Sequence, residues 1–433
     1  MADEVVLPIP NLTLPEKLFI LSSPSLAHLH DEARTALLEG LKADRNITSS
    51  PSSPLPLDKA LLAEMEAANA AELQKLDERL AEAEKQEGES EISDALKARA
   101  NYLTRIGDKD KSLAAQQLAL KKTPGLGSRI DITLTIVRIG FFFNDNKIIT
   151  SNMADAEKLI DEGGDWDRRN RLKVYQGLHL ISTRQFPRGA ELLLDALSTF
   201  TASELMSFND FVALTVIAGA LHLGRVDLDK RLIKAPEVNQ VLPDLPILGD
   251  LVRNLYECHY DKFFIALATL EQTHLLPSRT LSPHARFYTR EMRVRAYAQL
   301  LESYESLTLE SLSAAFGVSV DFVDACVAFL FLLFCFSLTP LLLPLPASLL
   351  SPSRLRLLSP PPLFSRSCSS PFGSAHSDLS HFISLSRLAC KIDKAHGLVR
   401  STRPSLKNAQ YEALVKRGDV LLGGVQRLSK VLY

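Results

Sequence analysis

Cysteine is scarce in this 433-residue chain, and its five cysteines never fall in a C-x-x-C pair. That excludes a disulfide framework and a multi-thiol zinc site, which need closely spaced thiols. Tryptophan occurs once, as Trp166. Net charge is almost absent: 49 Lys plus Arg against 51 Asp plus Glu give −2. The chain as a whole therefore exerts no pull on nucleic acid or acidic lipid, and such binding would need a local patch. G-x-x-x-x-G-K-[ST], G-x-G-x-x-G, H-E-x-x-H and G-x-S-x-G are all missing, which removes the common phosphate-loop, zinc-protease and serine-hydrolase chemistries. The opening Met1-Ala-Asp-Glu has neither the basic head nor the apolar run of a secretory leader, so a reducing intracellular setting is expected.

What histidine and cysteine there is forms no constellation. Cys258-His259 is the one adjacent pair, but it falls at a turn between helices, a poor seat for a nucleophile. The sequons Asn11-Leu-Thr and Asn46-Ile-Thr mean little in an intracellular chain. The expectation is no enzyme, with no catalytic residue, cofactor or metal ligand.

What is present is helical periodicity. Residues 1–57 read as irregular, with a short helical pattern around His28–Leu41 and a Ser/Pro linker at 48–56. Residues 58–90 read as one long charged helix. From 91 to 306, helix, turn, helix recurs, with turns near Gly107-Asp108, Asn144-Asp145, Arg184-Gln185, Gly224-Arg225, His259-Tyr260 and Glu302-Ser303, roughly 35–44 residues apart. Tetratricopeptide-like units repeat at about 34 residues and related ones at about 40–47, so a mainly α, right-handed helical-repeat solenoid is expected. In Leu159-Ile-Asp-Glu-Gly-Gly-Asp-Trp-Asp, Gly163 and Gly164 end one helix, Asp165 or Asp167 caps the next, and Trp166 wedges between repeats.

Residues 307–407 read as a winged helix: two helices, then a hairpin through Leu388, Cys390 and Ile392, a turn at 394–397, and Leu398-Val399. Asp321, Asp324 and Asp378 on its second helix would repel phosphate, so protein docking is favoured over DNA reading despite the basic Lys391, Lys394, Arg400, Arg403 and Lys407. A last helix over 408–433 carries Tyr411, Leu414, Leu421, Val425, Leu428 and Leu432 near heptad spacing, a stripe suited to a helical bundle.

One segment is unlike the rest. Residues 326–377 hold 14 Leu, 11 Ser, 8 Pro and 6 Phe, but no Asp, Glu or Lys. The apolar run Ala325–Leu338 is too short to cross about 30 Å of hydrocarbon, and Pro340, Pro344 and Pro346 follow it. No membrane association is expected; a tether would have to use 325–350. With 326–377 excised, Val323, Leu379, Phe382 and Ile383 fall at i, i+4, i+7 and i+8 of one helix. The segment therefore reads as an insert in a continuous helix, such as translated intron sequence.

Several stretches carry a resemblance. Leu159–Leu178, Ser198-Thr-Phe-Thr-Ala-Ser-Glu-Leu-Met, Ser303-Tyr-Glu-Ser-Leu-Thr-Leu, Ala315-Phe-Gly-Val, Cys390-Lys-Ile-Asp-Lys and Lys416-Arg-Gly-Asp-Val-Leu-Leu resemble, in order, the PCI subunits of the 26S proteasome regulatory-particle lid. The likeness covers about 91–433 apart from the insert, and departs from the family at 326–377 and at the 48–56 linker. It implies a non-catalytic scaffold in ubiquitin-dependent proteolysis: a solenoid, a winged-helix PCI module and a C-terminal bundle helix. Implied partners are other PCI subunits, the lid's deubiquitinase pair and the proteasomal ATPase ring, in cytoplasm and nucleus. No specific nucleic acid is implied. The interface expected from this is Cys390, Ile392 and Leu398 in the wing, with Leu414, Leu421, Val425, Leu428 and Leu432 in the last helix. A PCI scaffold of a translation-initiation or mRNA-export complex is the alternative.

Overall fold

In the computed structural model, the residues described are 6–45, 59–86, 88–304, 306–316, 382–393, 396–402 and 406–432. The chain divides into two compact units, residues 1–292 and 293–433.

The first unit begins with order where the sequence reads as irregular. Helix α1 (Thr13–Ser22), a 3-10 turn (Pro24–Leu29) and α2 (His30–Asp44) bury Leu14, Ile20, Leu21, Leu26, Ala33 and Leu37 in one cluster with Phe142, flanked by Phe143 and Leu276. The expectation of an irregular 1–57 is thus corrected. Leu12-Thr-Leu-Pro-Glu-Lys-Leu-Phe-Ile-Leu is apolar almost all round, which hides the 3.6-residue period, and its Pro15 sits in the first turn, where the missing N–H costs nothing.

Next come α3 (Lys59–Gln86), the charged helix, and α4 (Glu89–Ile106), α5 (Lys109–Lys122), α6 (Leu126–Phe143), α7 (Asn146–Asp161), α8 (Trp166–Ser182) and α9 (Phe186–Ala196). Then follow α10 (Phe208–His222), α11 (Arg225–Leu228), α12 (Pro236–Val241), α13 (Pro246–Glu257), α14 (Tyr260–Leu270) and α15 (Ala285–Ser303). The expected turns are made by residues suited to them. Gly107, Asn144, Arg184 and Cys258 take positive φ at 86°, 56°, 68° and 64°, the conformation that ends a helix. Asp108 accepts from the Lys111 N–H and Asp145 from the Lys147 N–H, capping α5 and α7. Lys109 Nζ reaches Asp145 Oδ2 at 2.9 Å, linking consecutive turns, and its hydrogen bond holds the Asp145 carboxyl below its ordinary pKa.

Close approach explains two glycines. A Cβ on Gly177 would lie 2.6 Å from Leu193 Cδ2, and one on Gly189 would lie 3.2 Å from the Gly177 carbonyl, so α8 and α9 touch backbone to backbone. Helix α10 is apolar all round, with Phe211, Val216, Ile217 and Ala220 buried, as a helix enclosed by neighbours must be.

The second unit holds the end of α15, β1 (Ser306–Thr308), α16 (Leu309–Phe316), β2 (Cys390–Asp393), β3 (Leu398–Ser401) and α17 (Leu406–Leu432). The hairpin β2–β3 forms as the alternation predicts, and β1 completes a three-stranded antiparallel sheet in the order β1-β3-β2. Leu307 pairs with Val399, and Ile392 pairs with Val399 from the other side. The expected repeat turn at Glu302-Ser303 is instead the point where α15 stops and the sheet begins. Tyr297 is buried against Phe316 and Phe382, with ring centroids 4.7 and 6.1 Å away. The expected helix through Val323 and Leu379, and the whole 326–377 segment, lie outside the described residues.

Candidate assembly interface

Helix α17 carries the most exposed apolar surface among the described residues. Tyr411, Leu414, Val415, Leu421, Leu422, Val425 and Leu428 are each 60–71% exposed. At 100° per residue these side chains fall within one stripe, while Glu412, Lys416, Asp419 and Arg427 lie off it. The structure therefore brings Leu414, Leu421, Val425 and Leu428 together as expected and adds Val415 and Leu422. Heptad bookkeeping passed over these two because they sit one residue beyond the seam positions. Leu432 ends the helix.

The wing residues divide differently. Cys390 is only 4% exposed and faces the interior, and burial pushes its thiol pKa up. It is a core position, and the expectation that it meets a partner is corrected: the period-2 alternation of the strand puts one face inward. Ile392 and Leu398 are half-buried, and Val399 between them in the sheet is fully buried. Lys391 and Arg400, paired across the strands, are exposed.

Trp166 corrects another expectation. It is 64% exposed, so it does not wedge between repeats. It occupies the first position of α8, where the side chain projects outward from the helix end. Gly163 and Gly164 lie just past the end of α7. Gly163 has φ +148°, and a Cβ on Gly164 would come 2.7 Å from the Ile160 Cα. Asp165 is at the N-cap, but its carboxylate engages Arg168 and makes no cap hydrogen bond. Arg168 in turn forks onto Asp131 of α6, which raises its pKa. The indole thus stands on a rigid seat.

No group of His, Cys, Asp and Glu among the described residues is arranged to hold a metal. No described helix is long and apolar enough to cross a membrane. Cys258 takes the left-handed position that ends α13, a turn role that accounts for it.

Comparison with known proteins bears on these surfaces. A family model described as 26S proteasome subunit RPN7 matches residues 58–231, and a PCI domain model matches residues 259–330. The 26S proteasome non-ATPase regulatory subunit 6 homolog of Arabidopsis thaliana is 38% identical over 428 residues, covering 98% of this chain and 97% of its own length. Subunit 6 of Oryza sativa subsp. japonica is 36% identical, covering 98% and 96%. The 26S proteasome regulatory subunit rpn7 of Schizosaccharomyces pombe is 33% identical, covering 96% and 95%.

Proposed function

The chain belongs to the family of 26S proteasome non-ATPase regulatory subunit 6, or RPN7, and from that premise we propose that it is a non-catalytic scaffold of the proteasome's regulatory-particle lid. The observation that carries this reading is the exposed stripe on α17, seven apolar side chains on a 27-residue helix. An apolar surface of this length marks a protein interface. Full burial of an aliphatic or aromatic side chain contributes about 1.5–3 kcal/mol, against an association cost of about 4–15 kcal/mol. One helix packed on one partner is therefore marginal, whereas a bundle that covers both flanks of the stripe is stable.

The wing offers a second contact. β2 and β1 are the outer strands of the described sheet, and outer strands carry backbone groups able to pair with a neighbour. Ile392 on β2 and Leu398 on the central β3, both half-buried, add apolar surface to the sheet. The partners assigned to these surfaces are other PCI subunits, with the lid's deubiquitinase pair and the ATPase ring completing the assembly in cytoplasm and nucleus. Ubiquitin-dependent degradation would be supported through placement of those partners and not through chemistry on this chain.

The test is to express the chain with and without residues 406–433 alongside the other lid subunits. Truncation should leave the helical array folded by circular dichroism while the chain no longer co-purifies with the lid. Unchanged incorporation of the truncated chain would overturn the reading.

A further inference from the structure

Arg138 lies in the interior of α6, fully buried, with no carboxylate partner among the described residues. One Nη donates to the Leu7 carbonyl at 2.6 Å, the other donates to Thr135 Oγ1 at 2.7 Å, and Nε has no partner. Such a side chain is unusual, because a buried guanidinium is normally paired with an anion. It lines a cavity of about 130 Å³ roofed by segment 6–9, whose Leu7 and Ile9 face the same space. Lys97, Asn101 and Ser128 line it as well. Among the described residues, the Lys97 ammonium has a 3.4 Å contact to the exposed Asp94. One acid, Asp131, also borders the cavity, but both of its oxygens are taken by the Arg168 fork. Two cations and two neutral polar side chains thus converge beside Asp131, which shares its partner Arg168 with Asp165.

We propose that this cavity binds phosphate, free or as a small monoester, held by Arg138 and Lys97 beneath the N-terminal segment. Guanidinium and ammonium together are the donor set that oxyanions select. A phosphate there supplies an acceptor for Nε. A water molecule would satisfy the N–H but leave the charge. The aliphatic wall of Leu7 and Ile9 leaves room for a short carbon body, the feature that separates a monoester from the free ion. Because Leu7 also accepts from Arg138, an occupied site fastens segment 6–9 to α6.

The experiment titrates the full-length chain with sodium phosphate, and separately with O-phosphoserine, at constant ionic strength set with chloride. Phosphorus NMR line width and calorimetry read the binding. Saturable binding is expected, weakened at least tenfold by Lys97→Met, lost in Arg138→Gln, and unchanged by Lys158→Met, whose exposed ammonium pairs with Asp155 and does not line the cavity. Phosphoserine binding tighter than phosphate would assign the monoester, and equal affinities the free ion. If Arg138→Gln fails to fold by circular dichroism, Lys97→Met decides. The proposal is overturned if the wild-type chain shows no saturable binding, or if Lys97→Met binds as tightly as Lys158→Met.

Discussion

Arg168 forks onto Asp131, with Nε 3.0 Å from one carboxylate oxygen and an Nη 2.7 Å from the other, tying the start of α8 to α6. Both side chains are mostly covered, at 20% and 16% exposure, so solvent screens the pair less than a surface pair. Gly127 makes room for it, since a Cβ there would come 3.0 Å from the guanidinium carbon. Charge-assisted bonds of this kind contribute roughly 1.5–3 kcal/mol. Arg168→Met and Asp131→Asn should each lower stability by about 2 kcal/mol. The double variant should fall well short of the sum, because both remove the same interaction. Chemical denaturation of the four proteins measures this directly, and strict additivity would show that the fork is not a coupled pair.

Trp166 stands beside that fork and should be energetically quiet. As an exposed residue it should cost no more than about 0.5 kcal/mol when replaced by alanine, not the several kcal/mol that a buried tryptophan would cost. Its uniqueness makes the check simple. Intrinsic fluorescence should be red-shifted and fully open to acrylamide, and a blue-shifted, protected emission would contradict the exposure.

The contrast shows what the sequence discloses. The repeat turns were legible because Gly107 with Asp108, and Asn144 with Asp145, put a left-handed residue directly before a capping carboxylate. That pairing is local chemistry and needs no tertiary context. Trp166 misled because a large aromatic is read as core by default, whereas its position at the first residue of α8 points it outward. Strand β1 was invisible for a different reason. Its three residues bury only Leu307, too short a run to show alternation, and it exists because β3 offers an unpaired edge. The α17 stripe was legible, since heptad spacing survives without neighbours. Cys390 was misassigned because alternation reveals that a strand has two faces but not which one turns inward.

His179 should give the array a pH dependence. It lies half-buried on α8, its Nδ1 is buried without a hydrogen-bond partner, and desolvation lowers its pKa from 6.5. His274 is lowered for the same reason, with Asp210 opposing. A depressed histidine means that the unfolded chain takes up the proton first as pH falls. The stability is therefore fully present above about pH 6.5 and is lost as pH falls from there through the folded pKa. The unfolding midpoint should drop between pH 7.5 and 5.5, and His179→Leu should flatten that slope. An unchanged slope in the variant would remove His179 as its source.

Single charges placed on α17 should separate assembly from stability. Leu421 and Val425 are 71% and 64% exposed, so Leu421→Lys and Val425→Lys should leave the melting temperature of the isolated chain nearly unchanged. In a bundle the same ammonium would be buried without a partner, at a cost of several kcal/mol. Incorporation into the lid should fall sharply for either variant. Lys416→Ala, off the stripe, should assemble normally. Equal assembly by all three would remove the stripe from the interface.

The last prediction concerns residues 326–377, which we propose are dispensable. Phe316 and Phe382 flank the insert at a distance of 66 residues in sequence, yet both rings meet Tyr297 of α15. The chain thus leaves and re-enters the same small core. Without the 52 inserted residues, Phe316 and Phe382 would be 14 positions apart, a span that holds one turn and one helix of ordinary length. Tyr297, Phe316 and Phe382 are each no more than 2% exposed, so all three are core residues of the second unit. Deleting 326–377 should preserve the Tyr297 cluster and leave the thermal transition of the second unit unchanged or raised. Solubility should improve, because the segment is rich in Leu and Phe and free of acidic residues and lysine. Co-expression of both forms with lid subunits completes the test, with the shortened chain expected to assemble at least as well as the full one. If the deletion unfolds the sheet, or if only the full chain assembles, the segment is part of the native module.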